Sequence, residues 1–156
     1  MSANTVVLWG PPCSGKTTYI AERIQPGDVR VDLDAIALAL APAGTRDHGT
    51  QDWHIRLAMD ARVAVLDNLR KVPAHVTCWV IDSNADHVRR LAWRKQGAHV
   101  VELEVDYAEC VRRAQAAGRP AEVVDRLIPR WFARHRSDQV PDALRPRTSG
   151  LASRQW

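Results

Sequence analysis

Eleven residues near the start, Leu8-Trp9-Gly10-Pro11-Pro12-Cys13-Ser14-Gly15-Lys16-Thr17-Thr18, constrain this chain more than any other stretch. They contain the full eight-position spacing G-x-x-x-x-G-K-[ST]. The residues before it, Thr5 to Trp9, are short, apolar and β-branched, as a buried strand requires, and Thr17 to Ile24 can continue as a helix. Strand, loop and helix in that order are the context that gives the spacing its meaning. Glycines let the backbone curl until successive N–H groups point at one anion, and the helix beginning near Gly15 adds the positive end of its dipole. Gly10, Pro11, Pro12, Cys13, Ser14, Gly15, Lys16, Thr17 and Thr18 are therefore the candidate contacts to a nucleoside triphosphate. Lys16 is expected to reach the β- and γ-phosphates and the Thr17 hydroxyl to ligate Mg²⁺. A plain turn joining strand to helix is the simpler reading, but it does not call for the complete match.

With 156 residues the chain suits one domain whose core needs no staples. Its longest apolar runs are far too short to cross a bilayer, so no membrane partner is expected. The chain enters its first strand almost at once, which predicts no secretory or transit segment and a cytoplasmic setting. Three cysteines, Cys13, Cys78 and Cys110, are widely spaced and lack metal-ligand spacing, as free thiols in a reducing compartment do. Cys13 lies in the loop itself; with no resolving partner legible in the sequence, it reads as a small filler rather than a redox group. A formal charge of +4 suits an anionic substrate, but much of the excess lies in the C-terminal third. Charge alone does not establish nucleic-acid binding.

Further along, Gln25 to Asp28 reads as a turn and Val29 to Leu33 alternates as a second strand. Asp34 then precedes the helix-forming run Ala35 to Leu40, which Pro42 and Gly44 end, and residues 42–50 read as a mobile loop. From about Gln51 to Lys71, the residues Ile55, Ala58, Met59, Arg62, Val63, Leu66 and Leu69 recur at helical spacing and predict the longest helix. Val76 to Ile81 is a third, buried strand ending in Asp82-Ser83-Asn84. Asp86 can cap a helix through about Gln96, which Gly97 stops. His99 to Val105 is a fourth strand and Asp106 to Ala117 a helix. Gly118-Arg119-Pro120 breaks that helix, and Ala121 to about Arg136 is a last helix kinked at Pro129. From Ser137 the composition turns to Pro, Arg, Ser and Gly, so the reading is a domain over residues 1–136 and a basic, poorly ordered tail over 137–156. Alternating strands and helices imply an α/β fold, a three-layer sandwich of the P-loop NTPase type with a mostly parallel sheet. Such sheets bind ligands outside the carboxyl ends of their strands, which brings the phosphate loop, Asp34 and Asp82-Ser83-Asn84 to one rim.

A phosphate loop alone does not separate a kinase from a switch or motor, so the rest of the rim decides. Asp32 and Asp34 lie two apart and would share a face of an extended strand. Asp34 comes last, where a carboxylate can take the proton of an attacking hydroxyl; equally, it can only cap the helix at Ala35. Asp82 ends a strand as the second acidic group of a P-loop ATPase does, holding Mg²⁺ through water. The residue after it is Ser83 rather than a water-activating Glu, which disfavours a motor or switch. Arg112, Arg113, Arg119 and Arg126 cluster around the late helix break, where small kinases place a lid. One of them arriving on the transferring phosphoryl group would act as an arginine finger in cis, although such runs are commonly solvated helix faces.

These residues have a familiar arrangement. Asp34 after the second strand, Ile81-Asp82-Ser83-Asn84 followed by Arg89-Arg90-Leu91-Ala92-Trp93, and the Val111-Arg112-Arg113 helix before Gly118 resemble the kinase domain of the bacteriophage polynucleotide 5′-hydroxyl kinase and related small P-loop kinases. The resemblance covers roughly residues 5–135. It implies ATP-dependent transfer of the γ-phosphate to a hydroxyl of a nucleic acid or nucleoside, with Mg²⁺, with Lys16 and Thr17 on the phosphates and metal, and with Asp34 as general base. Arg113 would contact nucleotide phosphate. The family's lid arginine falls at Ala117, leaving Arg119 to act from the other side of the break, and its arginine for the acceptor's phosphate falls at Ala37. Acceptor-side candidates are then Asp32, Asp34, Asp82, Asn84, Arg46, His48, Arg89, Arg90 and the basic tail from Arg134 to Arg154. Three alternatives stay open: a kinase of hydroxymethylpyrimidine in DNA, a small-metabolite kinase using Asp32-Leu33-Asp34 as shikimate-type kinases use D-x-D, and a non-catalytic nucleotide-dependent binding module.

Overall fold

The computed structural model describes residues 4–45 and 49–135. Four apolar segments, β1 (Thr5–Trp9), β2 (Val29–Val31), β3 (Cys78–Ile81) and β4 (His99–Glu102), form one parallel sheet in the order β2-β3-β1-β4. Leu8 lies level with Ile81 on one side and Val101 on the other, so the strands end together and the residues after them make a common rim. The connecting helices are α1 (Lys16–Ala21), α2 (Leu33–Leu40), α3 (Asp52–Asn68), α4 (His87–Lys95), α5 (Tyr107–Ala116) and α6 (Ile128–Arg134).

Period-two alternation divides the strand side chains between two layers. Val7, Val31 and Val80 pack with Leu69 and Trp93 on the face covered by α3 and α4. Leu8 and Trp79 pack with Ile20 of α1 on the other. Fully burying side chains such as Leu8, Ile20 and Val80 contributes about 1.5–3 kcal/mol each, which fixes the sheet on which the rim is built. A third cluster, Cys110, Ala114, Val123 and Ile128, ties α5 and α6 together and receives Cys13 from the phosphate loop.

Several boundaries differ from those the sequence predicts. The second strand stops at Val31 rather than Leu33, because Asp32 turns the chain and caps α2 by accepting from the Asp34 N–H at 3.2 Å. Helix α1 ends at Ala21, and β3 and β4 are shorter than their apolar runs. Asp86 caps α4 as its position suggests, and Asp106, expected as the first residue of its helix, instead caps α5. The expected kink before Arg136 is a π-helical turn, Val123–Leu127: Pro129 has no N–H to donate, and the Ile128 N–H bonds to the Val123 carbonyl.

Helices α2 and α3 pack on each other and stand on the rim. Arg62, in the middle of α3, donates to the Ile81 carbonyl at the end of β3, so that part of the helix is level with the strand ends. The turns of α3 before Arg62 extend about 15 Å along the helix axis. Each helix of this hairpin buries one alanine completely, Ala37 and Ala58. Met59 and Val63, predicted on the inner stripe of α3, are more than half exposed, because the inward stripe runs through Ala58, Arg62, Leu66 and Leu69 and each of those two residues lies one position further round the helix.

Candidate active site

The phosphate loop closes around its own lysine. Gly10 has a φ of 152° and lies so close to β4 that an added Cβ would sit 2.5 Å from the Leu103 carbonyl oxygen. Cys13 adopts a φ of 62°, a region that costs any residue with a side chain, and Gly15 a φ of 95° at the start of α1. No side chain caps α1, so its first amides face the loop. Lys16 is 8% exposed, and its ammonium donates to the carbonyls of Gly10 and Pro11 at 3.0 and 2.6 Å and to the Ser14 hydroxyl at 3.1 Å. Burial pushes its pKa down from 10.5 to about 8, an effect that the nearby cysteines, Asp32 and Asp34 partly offset. Thr17 and Thr18 stand exposed at the start of α1. Mg²⁺ keeps several waters and takes few protein ligands beside phosphate oxygens, a role the exposed Thr17 hydroxyl fits. Among the described residues no group of three His, Cys, Asp or Glu side chains could cage a metal.

The two aspartates after β2 have separate positions. Asp32 is buried, caps α2 and pairs with Arg30. Asp34, in the first turn of α2, is exposed and does not cap that helix. The choice left open by the sequence, between capping and chemistry, is thus resolved against capping by Asp34. Both carboxylates lie close enough to Lys16 to raise its pKa, which places them on the loop's side of the rim.

Asp82 has both oxygens engaged. Arg62 lies 3.4 Å from Oδ1, while Arg89 Nε and Trp93 Nε1 donate to Oδ2 at 2.7 and 2.9 Å. Holding Mg²⁺ through water would require Asp82 to release part of this set. Asn84 is exposed in the loop beyond. Arg90 is buried beneath the strand ends rather than open to solvent: it is 2% exposed, lies 3.9 Å over the Trp9 ring and pairs with Glu102 at 3.3 Å.

Of the late arginines, Arg113 reaches the loop, donating to the Ser14 carbonyl at 3.3 Å and to Glu109 at 2.6 Å. Hydrogen bonds from Arg112 and Arg113 hold the Glu109 carboxyl down to about 2. Arg126 pairs with Glu122 on the surface. Arg119 is exposed just past the end of α5, its N–H bonded to the Ala114 carbonyl. Arg46, His48 and the tail from residue 136 lie outside the described residues. Two groups escaped the sequence reading. Arg62 was legible only as a charge on an otherwise apolar stripe, and Trp131, which packs against Trp9 with tilted rings 5.1 Å apart and donates to the Ser83 carbonyl at 2.7 Å, gave no local signal.

A family profile described as AAA domain matches residues 6–137. The chain belongs to that family. No curated protein matches it. A solved structure titled "Structure of the Pnkp1/Rnl/Hen1 RNA repair complex" contains a chain of similar fold, with a TM-score of 0.58, 14% identity and 97% of this chain covered. This chain spans 52% of the length of that one. At such low identity the likeness concerns the fold alone. No helix among the described residues is long and apolar enough to cross a membrane.

Proposed function

We propose that this AAA-domain protein transfers the γ-phosphate of ATP to a hydroxyl of a nucleic acid or nucleoside. The observation that carries the reading is Asp34: a carboxylate at the rim, exposed, near Lys16, and relieved of capping by Asp32. In this reading Lys16 leaves the loop carbonyls for the β- and γ-phosphates, and the loop amides and the start of α1 hold the rest of the triphosphate. Asp34 accepts the proton of the acceptor hydroxyl as its oxygen approaches the γ-phosphorus in line. Arg113, already on Ser14, meets donor phosphate, and Arg119 serves as the finger that steadies charge on the transferring group. Mg²⁺, bound with the triphosphate at Thr17, supplies charge neutralisation there.

The small-metabolite alternative loses support, because a D-x-D acceptor site needs both carboxylates and Asp32 is committed to α2 and Arg30. The test is incubation with γ-labelled ATP and a panel of acceptors: a 5′-hydroxyl oligonucleotide, a nucleoside, hydroxymethylpyrimidine DNA and shikimate. Label on one of the first two supports the reading. Label on shikimate alone, or on none, would overturn it.

A further inference from the structure

The phosphate loop carries a thiol that phosphotransfer does not use, and the fold brings it a neighbour from far along the chain. Cys13 is half-buried and held at a φ of 62°. Its side chain packs on the cluster of Cys110, Ala114, Val123 and Ile128 that joins α5 to α6. Cys110 is fully buried in that cluster, its S–H turned to the Val105 carbonyl at 3.9 Å. The sequence shows Cys13 no resolving partner because the partner lies on another element. The third cysteine, Cys78, belongs to a different cluster, with Val7, Leu69 and Trp93.

Two contacts hold α5 against the loop at this point. Arg113, three residues along α5 from Cys110 and so on the same face, donates at 3.3 Å to the carbonyl of Ser14, the residue after Cys13. The Nη1 of Arg113 also lies 3.9 Å from where a Cβ on Gly15 would stand. The thiols and Lys16 are close enough for charge on one to bear on the others. Burial pushes the Cys110 thiol up to about 11 and Cys13 adds to the rise, while both cysteines raise Lys16 against the effect of its own burial. Cys110 is therefore protonated and shielded at neutral pH, and Cys13 is the thiol that solvent reaches.

We propose that Cys13 is a redox modification site, and that a peroxide converts Cys13 and Cys110 to a reversible disulfide which switches off nucleotide binding. The Cys13 sulfur attacks one peroxide oxygen, the O–O bond breaks, and the departing hydroxide takes the thiol proton as water, leaving Cys13 as a sulfenic acid. The Cys110 sulfur then attacks the Cys13 sulfur, and the hydroxide released takes the Cys110 proton as a second water. Two thiols are oxidised by two electrons and one peroxide is reduced. A dithiol reductant reverses the link by exchange. Bonded sulfurs stand about 2 Å apart, roughly half the separation of sulfurs merely packed together. Helix α5 is anchored by the Asp106 cap and its buried cluster, whereas Cys13 already occupies a costly backbone region, so the loop moves to close that gap. Its movement displaces the groups around Lys16 and the amides that would meet the donor's phosphates.

Oxidation of the reduced full chain with hydrogen peroxide tests this, with the peptides mapped by mass spectrometry. ATP affinity is read by calorimetry before oxidation, after it, and again after dithiothreitol. Wild type is expected to gain a link between the Cys13 and Cys110 peptides, with loss of two hydrogens. It should then bind ATP roughly 10-fold more weakly or worse, the loss of at least one charge-assisted hydrogen bond, and dithiothreitol should restore both. Reduced Cys110→Ala should bind ATP as reduced wild type does, form no link on oxidation, and leave Cys13 as a sulfenic acid that dimedone labels. Cys110→Ser, of nearly the same shape, should do likewise and guards against a cavity in the cluster. Equal dimedone labelling of Cys13 in wild type and the Cys110 variants, or a link made through Cys78, overturns the proposal. So does a complete Cys13–Cys110 link that leaves ATP affinity unchanged, or a loss of affinity that comes with loss of helical circular dichroism. The switch rests on nucleotide binding by the loop and not on any acceptor. ATP binding that the link abolishes, without transfer of label in the reduced protein, would remove the kinase reading and keep the switch; label transfer unaffected by peroxide would do the reverse.

Discussion

Lys16 makes nucleotide binding a proton-linked event. Without ligand its ammonium is buried among the loop's own carbonyls, with a pKa lowered from 10.5 to about 8. That fall corresponds to about 3 kcal/mol against the charged form. Between pH 8 and 10.5 the unfolded chain holds this proton and the folded one does not, so the group's contribution to stability rises with pH through that window. Below pH 8 both states are charged and the full cost is present. Triphosphate oxygens stabilise the ammonium and draw the pKa back up, so binding above pH 8 must take up a proton, and affinity falls as pH rises. Calorimetric titration of ATP at pH 9, in two buffers of different ionisation enthalpy, reads the uptake directly. Close to one proton is expected for wild type, little at pH 7, and none at pH 9 for Lys16→Met. No uptake at pH 9, or the same uptake in Lys16→Met, would refute the coupling.

Asp32→Ala removes the α2 cap and the partner of Arg30, and is expected to cost about 1–2 kcal/mol in thermal or denaturant unfolding. Gly10→Ala sets a Cβ against the Leu103 backbone oxygen, where neither side can yield; a loss of about 1–3 kcal/mol and of ATP binding should follow, read by melting and by nucleotide titration. Arg113→Ala should raise the KM for ATP more than it lowers kcat, since Arg113 already touches the loop. Arg119→Ala should lower kcat with ATP affinity kept, as a group acting only on the transition state does; equal, small effects of both would remove the finger from the mechanism.

What the sequence made legible was local. The phosphate loop is a contiguous motif whose glycines carry their own conformational reason, and Gly10, Cys13 and Gly15 take the positive φ values such a curl needs. The cap Asp86 was readable because it stands directly before its helix, whereas Asp106, read as the first residue of its helix, proves to be the cap. Asp32 and Asp34 were not separable, since either can precede a helix and the deciding geometry is the turn of one residue. Helical spacing put Arg62 on the inner stripe of α3, but its partner Asp82 comes from another element, and periodicity does not report tertiary neighbours. The same spacing placed Met59 and Val63 inward, because apolar residues stand on both sides of the stripe through Ala58, Leu66 and Leu69 and the sequence does not say which side meets the sheet. Strand order is equally non-local: β1 lies between β3 and β4 only once the crossovers are made.

The central claim is that Asp34 activates a hydroxyl for attack on ATP bound in the phosphate loop. Its most direct test is the rate of label transfer from γ-labelled ATP to a 5′-hydroxyl oligonucleotide by wild type and Asp34→Asn, with ATP affinity and melting measured on both. Because Asp32 carries the cap, Asp34→Asn should fold and bind ATP as wild type does, yet transfer label roughly 100-fold more slowly or worse. Equal transfer by the two proteins, or release of the label as free phosphate at a rate indifferent to the oligonucleotide, would contradict the account.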